Sequence, residues 1–400
     1  MQIKVKRKPI NKAKLLRGLF AAALMGLTFG TVAALAFAFL FNGLIEFNSN
    51  NTQSIVVQSE ADDTIDLPTE QPVVGEIGAE ADRGDLYGVS RKVMKALVRL
   101  DVIQTEAYSV KKGDSRIKVG IVISHNPKVV YILTTPNSAR GKLTVDVTFS
   151  DGSTVRGEVV ETDYISGLSV VRVDAELVKP ATLKAFPEIE FANSNKTAVG
   201  DMVVAVGNIN GFLMSAVVGN VSSINETFSC TDGELAMIGT DIPVNSCTDG
   251  FLFNSIGLLC GIISHENDAV DTSVNLLNAI GCSDLTTTIN KLSSGSHFPY
   301  IGIRTKTIDY ATGTMYGIPL GIFVNGVDAE SPAYYAGFMV GDIITAIGNK
   351  GMMTGRRLHS HLMGIDVSKN SEKNIEFRIL RQVNGTYEMR IINVYAEERY

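Results

Sequence analysis

The feature that most constrains this chain is a succession of short segments in which apolar and polar residues alternate. From Val119 onward, "VGIVIS", "VVYILTT", "LTVDVTFS", "GEVVETD" and "LSVVRVD" follow a period of two, separated by Gly, Asn and Asp turns. Alternation sends successive side chains to opposite faces, so each segment reads as a strand with one face available for a core. Asp151-Gly152 lies between two such runs and is a hairpin signal. "DMVVAVGNINGF", "AVVGNVSSI" and "GLLCGIIS" continue the pattern. Many short strands without long intervening helices predict an antiparallel sandwich or barrel. The apolar fraction of 45% supports packed β domains rather than disorder, and 400 residues leave room for two or three of them.

The N-terminal part has a different character. Residues 1–17 carry Lys4, Lys6, Arg7, Lys8, Lys12, Lys14 and Arg17 and no acid. Residues 18–42 carry no charge, and such a run is long enough to cross a hydrocarbon core of about 30 Å as a helix. A cleaved signal peptide is the competing reading, but its apolar core is usually shorter and ends in small residues, whereas this run stays bulky. The expectation is an uncleaved transmembrane anchor with the basic tail in the cytoplasm and the body outside. Gly26 and Gly30 form one GxxxG, a weak dimerisation signal. Residues 43–85 are polar, acidic and broken by Pro68 and Pro72, and read as a flexible stalk. The net charge of −6 and the lack of a basic cluster outside the tail argue against nucleic-acid binding. From Leu86 to Ile103, Val89, Val93, Leu97 and Leu100 recur at helical spacing.

All four cysteines, Cys230, Cys247, Cys260 and Cys282, lie within one stretch. On the outer side of a membrane an even count favours disulfides; the pairs Cys230–Cys247 and Cys260–Cys282 are preferred among the three possible pairings. No CxxC occurs, so no zinc site is expected; no cofactor is expected either. His125 reads as a turn residue and His265 as a loop residue. His359 and His361, in "LHSHLM", read as surface polarity on a helix.

Four motifs carry a sharper signal. "YILTTPNSA" ends a strand, "TDYISGLSVVRVD" opens another, and "VGDMVVAVGN" and "TDIPVNSCTDGFL" follow. In register these resemble segments of the HtrA (Deg-type) trypsin-like serine proteases, over about residues 86–295. The resemblance implies a trypsin-like double β-barrel. It places the general-base position at Asn137, the triad-carboxylate position at Gly167 and the nucleophile position at Asp249. Cys247 and Thr248 fall on the former oxyanion loop, where the family has glycine at position 247. A carboxylate is a poor acyl acceptor, and its charge would repel a developing oxyanion. Three motifs, each aligned by its own flanks, each lack their catalytic member. Cys247 with His265 would suggest a thiol protease, but no spacing supports it.

Residues 296–400 read as a second unit after the "KLSSGS" linker. "SPAYYAGFMVGDIITAIG" combines a helix N-cap at Ser331, Pro332 at the first helical position, a left-handed stop at Gly337 and a tight turn at Gly341-Asp342. This pattern, with "YIGI" upstream, resembles the PDZ domain of the same family. The resemblance implies that Tyr300, Ile301, Gly302 and Ile303 form a loop whose backbone N–H groups receive a peptide's terminal carboxylate, the peptide adding as a strand. The expected protein is therefore mainly β: a cytoplasmic tail (1–17), a single membrane span (18–42), a linker (43–85), a degenerate protease-fold domain (86–295) and a PDZ domain (296–400). Its expected role is that of an extracytoplasmic pseudoprotease binding protein C-termini or misfolded chains. Family resemblance suggests a trimer or assembly with active relatives. The alternative is an active serine endopeptidase of protein quality control.

Overall fold

The computed structural model describes residues 83–102, 117–135, 144–245, 247–263, 275–369 and 373–398. The basic tail, the apolar run, the acidic stalk up to residue 82, Asn137 and His265 lie outside the described residues; residues 83–85, expected as the end of the stalk, instead open a helix. Among the described residues no helix is long and apolar enough to cross a membrane.

The described chain opens with helix α1 (Arg83–Val93), which passes through a single tight turn into strand β1 (Leu97–Val102). The helical spacing read through Leu100 therefore holds only to Val93. Leu97 and Leu100 are buried from a strand, where β1 pairs with two neighbours at once. Strands β2 (Ile117–His125), β3 (Val129–Thr134), β4 (Thr144–Thr148), β5 (Thr154–Asp163) and β6 (Leu168–Asp174) complete a closed barrel in the order β1-β2-β3-β6-β5-β4. Closure leaves no edge strand exposed. His125 is exposed at the end of β2, with its ring edge-on to Phe186 at 5.7 Å, and Asn126 closes the turn that follows.

After helix α2 (Pro180–Ala185) come β7 (Met202–Ile209), β8 (Phe212–Ser223), β9 (Thr227–Cys230), β10 (Gly233–Pro243), β11 (Asp249–Asn254), β12 (Leu259–Ile263) and β13 (Leu276–Gly281). Their order is β13-β12-β11-β7-β8-β10-β9, and a β13–β10 pairing closes six of them into a second barrel. Strand β10 belongs to this barrel only from Met237 onward. Its first four residues pair with β9 alone, so the β9–β10 hairpin projects from the barrel. Phe251 and Phe253 on β11 are fully buried; each such side chain contributes about 1.5–3 kcal/mol by leaving water.

Helix α3 (Cys282–Ser294) follows, stopped by Gly295 in the left-handed conformation at φ +65. Most of the expected "KLSSGS" linker is thus the last turn of a helix. Its Lys291 ammonium donates to the Ile365 carbonyl of the following domain at 2.7 Å. That domain holds β14 (Pro299–Tyr300), β15 (Ile303–Ile308), α4 (Tyr310–Tyr316), β16 (Gly321–Val327), α5 (Pro332–Ala336), β17 (Ile343–Ile347), β18 (Lys350–Gly351), α6 (Gly355–Met363), β19 (Asn374–Val383), β20 (Thr386–Tyr395) and β21 (Glu397–Glu398). Its sheet runs β15-β16-β17-β19-β20. The Ser331 hydroxyl caps α5 by accepting from the Tyr334 N–H, and Gly337 ends that helix at φ +90.

Candidate functional site

Two places concentrate polar groups. The first is the start of β11. Asp249 pairs with Asn208 of β7, and Gly250 pairs with Gly207. At Gly207 and Gly250 (φ +150 and +148) a Cβ on either would overlap the opposite backbone, so only glycine permits this approach. The close pairing fixes where Asp249 stands. Its side chain is buried, and the Lys118 ammonium on β2 lies 3.8 Å from Oδ2. The two barrels thus meet here through an ion pair.

The loop before Asp249 is stitched by three asparagines. The Cys247 N–H donates to Asn245 Oδ1 at 2.9 Å, and the Thr248 N–H donates to the Asn245 carbonyl at 3.2 Å. The Asn208 amide donates to the Cys247 carbonyl, and the Asn245 N–H donates to Asn210 Oδ1. The Thr248 hydroxyl accepts from the Asn210 N–H. The N–H at position 247 is therefore committed within the loop. Gly167 sits at φ +66 in the turn between β5 and β6 and brings no side chain. The nearby Asp163 carboxylate accepts from the Ile165 and Ser166 N–H groups and the Ser166 hydroxyl, closing that turn.

No disulfide joins the four cysteines, so both expected bridges are corrected. Cys230 lies at the tip of the projecting hairpin, and Cys247 lies beyond the opposite end of β10. An 11-residue strand separates them, and at about 3.3 Å per residue that is far beyond the 7 Å Cα limit for a bridge. The Cys260 thiol instead donates to the Leu252 carbonyl at 3.3 Å. Burial pushes it up to about 12 and pushes Cys282 well above the ordinary thiol range. Both behave as small apolar core residues.

The second place is the groove between β15 and α6. The N–H groups of Ile301, Gly302 and Ile303 converge on one point, with Gly302 at φ +84. That point is occupied by the carboxylate of Asp232, from the turn of the β9–β10 hairpin. Ile301 donates to Oδ2 at 2.9 Å; Gly302 and Ile303 donate to Oδ1 at 2.8 and 3.0 Å. Tyr300 lies beside this nest; its hydroxyl donates to Asp328 Oδ2 at 3.3 Å. Glu234 accepts from the Thr307 N–H at 3.0 Å and from the Thr307 hydroxyl. The expectation of surface polarity at His359 is corrected: its side chain is 1% exposed, and Gly233 packs against its Cα and Cβ. His361 is half-buried, and burial together with the charge of Lys350 lowers its pKa. Sequence reasoning passed over Lys118, Asp232 and Glu234. The available signal was the Asp232-Gly233 dipeptide, a hairpin turn lying between two β-like runs.

A trypsin-like peptidase domain model matches residues 119–262, and a PDZ domain model matches residues 299–385. The chain is 27% identical over 270 residues to the Do-like serine protease HtrA of Lactococcus lactis subsp. cremoris, covering 62% of this chain and 65% of that protein. It is 27% identical over 250 residues to the Do-like serine protease HtrB of Bacillus subtilis, covering 58% and 53%. The chain thus spans about half to two thirds of the length of these curated relatives. Among solved structures, the HtrA-type protease AlgW with tripeptide superposes with a TM-score of 0.54 at 20% identity, covering 78% of this chain and 97% of that one. The serine endoprotease from Yersinia pestis superposes at 0.51 with 23% identity, covering 78% and 98%. These structural likenesses show the fold, a trypsin-like double barrel followed by a PDZ domain. With both domain types in this order and Do-like relatives along the sequence, the chain belongs to the HtrA family.

Proposed function

We propose that this protein is a membrane-anchored, extracytoplasmic HtrA-like pseudoprotease whose PDZ domain receives protein C-termini or misfolded chains, in a regulatory or chaperone-like role. The single observation that carries the loss of catalysis is the start of β11. The residue in the nucleophile position is a buried carboxylate 3.8 Å from the Lys118 ammonium. An Asp in that position supplies no hydroxyl to attack a peptide carbonyl. Two further features support the reading. Gly167 offers no carboxylate to orient a base, and the Cys247 N–H is spent on Asn245 rather than aimed at an incoming carbonyl oxygen. The nest formed by Ile301, Gly302 and Ile303 supports C-terminus capture, since three convergent N–H groups suit a carboxylate.

The test is incubation of the purified full chain with unfolded casein. The expected outcome is no cleavage above a buffer control. Measurable cleavage that Asp249→Ala abolishes would overturn the proposal and leave the active endopeptidase as the reading. Capture is tested separately, by binding of a short peptide ending in Val as the free acid and as the amide. The amide lacks charge-assisted hydrogen bonds of about 1.5–3 kcal/mol each, so its affinity should be at least about tenfold weaker. Equal affinities would remove the C-terminus receptor.

A further inference from the structure

The peptide nest of the PDZ domain already holds a carboxylate, and it comes from this same chain. The Asp232 side chain takes all three N–H groups of Ile301, Gly302 and Ile303. Its own N–H donates to the Ile303 carbonyl at 2.7 Å, and the preceding Thr231 forms an antiparallel bridge with Arg304. Backbone and carboxylate together reproduce what an added C-terminal strand does in such a groove. Asp232 stands at φ +67, a left-handed conformation unusual for a residue other than glycine, though Asp tolerates it better than most.

The far side of the groove is engaged as well. Gly233 lies so close to α6 that a Cβ there would overlap His359 and the Gly355 carbonyl. Cys230 Sγ is 4.0 Å from His359 Nδ1. Asp284 on α3 accepts from the Ala236 N–H of β10 at 2.7 Å and from both Nε and Nη2 of Arg356 on α6 at 2.8 Å. One carboxylate therefore ties the strand leaving the hairpin to the helix that walls the groove.

We propose that the β9–β10 turn is an internal ligand of the PDZ groove. The Asp232 side chain stands in for a terminal carboxylate, and an external C-terminus binds only when the hairpin withdraws. This rests on the reading of residues 301–303 as a carboxylate nest. An internal ligand competes at high effective concentration without any loss of translational freedom. The apparent affinity for an outside peptide falls by the fraction of time the groove is open; a groove open about one tenth of the time costs about tenfold.

The experiment titrates the purified full chain with a short fluorescent peptide ending in Val, as free acid and as amide, for wild type, Asp232→Ala and Asp232→Asn. The expected result is at least about a tenfold gain in free-acid affinity for Asp232→Ala, a smaller gain for Asp232→Asn, and weak amide binding throughout. If the free acid is preferred over the amide but Asp232→Ala binds it no better than wild type, the internal ligand is overturned and the nest stands. If none of the three proteins distinguishes acid from amide, the nest reading and the inference fall together. Because Asp232 is buried, hydrogen exchange on the unaltered protein supplies a second readout. Saturating free-acid peptide should speed exchange in residues 228–236 and slow it at 301–303. Exchange in 228–236 that stays unchanged or slows with peptide bound overturns the proposal without any substitution.

Discussion

On the proposed reading, single residues separate what this barrel pair resembles from what it does. Asp249 and Gly167 stand on sound backbone, one starting a paired strand and one closing a turn. Restoring chemistry would therefore need more than side chains. The triple variant Asn137→His, Gly167→Asp, Asp249→Ser should still give no labelling by a fluorophosphonate probe, because the Cys247 N–H remains bonded to Asn245. Labelling of the triple variant at position 249 would show that this loop opens on demand. The thiols make a second case. Cys247 is exposed while Cys230, Cys260 and Cys282 are buried. An aromatic disulfide reagent should modify Cys247 quickly in the native protein and the other three only after denaturation. Fast native modification of Cys260 would contradict its burial. The sign of the pH effect follows. The unfolded chain releases these thiol protons near 9.0, whereas folded Cys260 holds its proton to about 12. Stability is thus full below about 9 and is lost as pH rises toward 12. The Cys260→Ala, Cys282→Ala double variant should lose less Tm than wild type between about pH 8 and 11.

Elements show where local signals were enough. Ser331, Pro332 and Gly337 cap and stop α5 as their types require, and the Gly341-Asp342 turn enters β17. The partner of that turn was not legible: Arg381 on β19 grips Asp342 through Nε and Nη2, both at 2.7 Å, and Nη2 also reaches the Gly337 carbonyl. Asp342 is 1% exposed. Removing the guanidinium strands a buried carboxylate, so Arg381→Met should destabilise by about 3–5 kcal/mol in denaturant unfolding. A loss under about 1 kcal/mol would mean that water replaces the arginine. Helix α1 is the opposite case. The spacing of Leu97 and Leu100 satisfies a helix, but pairing on both edges of β1 outweighs it. Gly302 is a further case at this scale. A Gly302→Pro exchange would not merely delete one donor. At φ +84, against Ser331, any side chain distorts the nest, which makes acid-versus-amide peptides the cleaner probe.

For the whole molecule, the reading of the N-terminal run as an anchor leads to a topological expectation. Protease added to intact cells should remove the body and leave a short membrane-retained stub. Recovery of the body in the medium, lacking the first forty-odd residues, would replace the anchor with a cleaved leader. The two folded domains are not beads on a string. Arg356–Asp284, Lys291 to Ile365 and the hairpin in the groove join them at three places. Breaking the first of these with Arg356→Ala should raise free-acid peptide affinity, measured in the same fluorescent-peptide titration. An unchanged affinity would confine the hairpin's hold to Asp232 and Glu234.

What the sequence determined by itself was whatever depends on neighbours along the chain. Alternation marked the strands, turn and cap residues marked their ends, and the spacing of flanking residues put Asn137, Gly167 and Asp249 in register with the triad positions of the resembled motifs. The tertiary structure decided what depends on residues far apart in sequence. No local pattern brings Lys118 to Asp249, separates Cys230 from Cys247 by the length of β10, or buries His359 under Gly233. Nor could the chain read linearly show that Asp232 reaches the N–H groups of residues 301–303, about seventy positions away. Local conformation follows from steric preference and hydrogen bonding within a few residues. The partner of a buried charge is set by which surfaces the fold brings together, because burial without a partner costs more than most folds can spare.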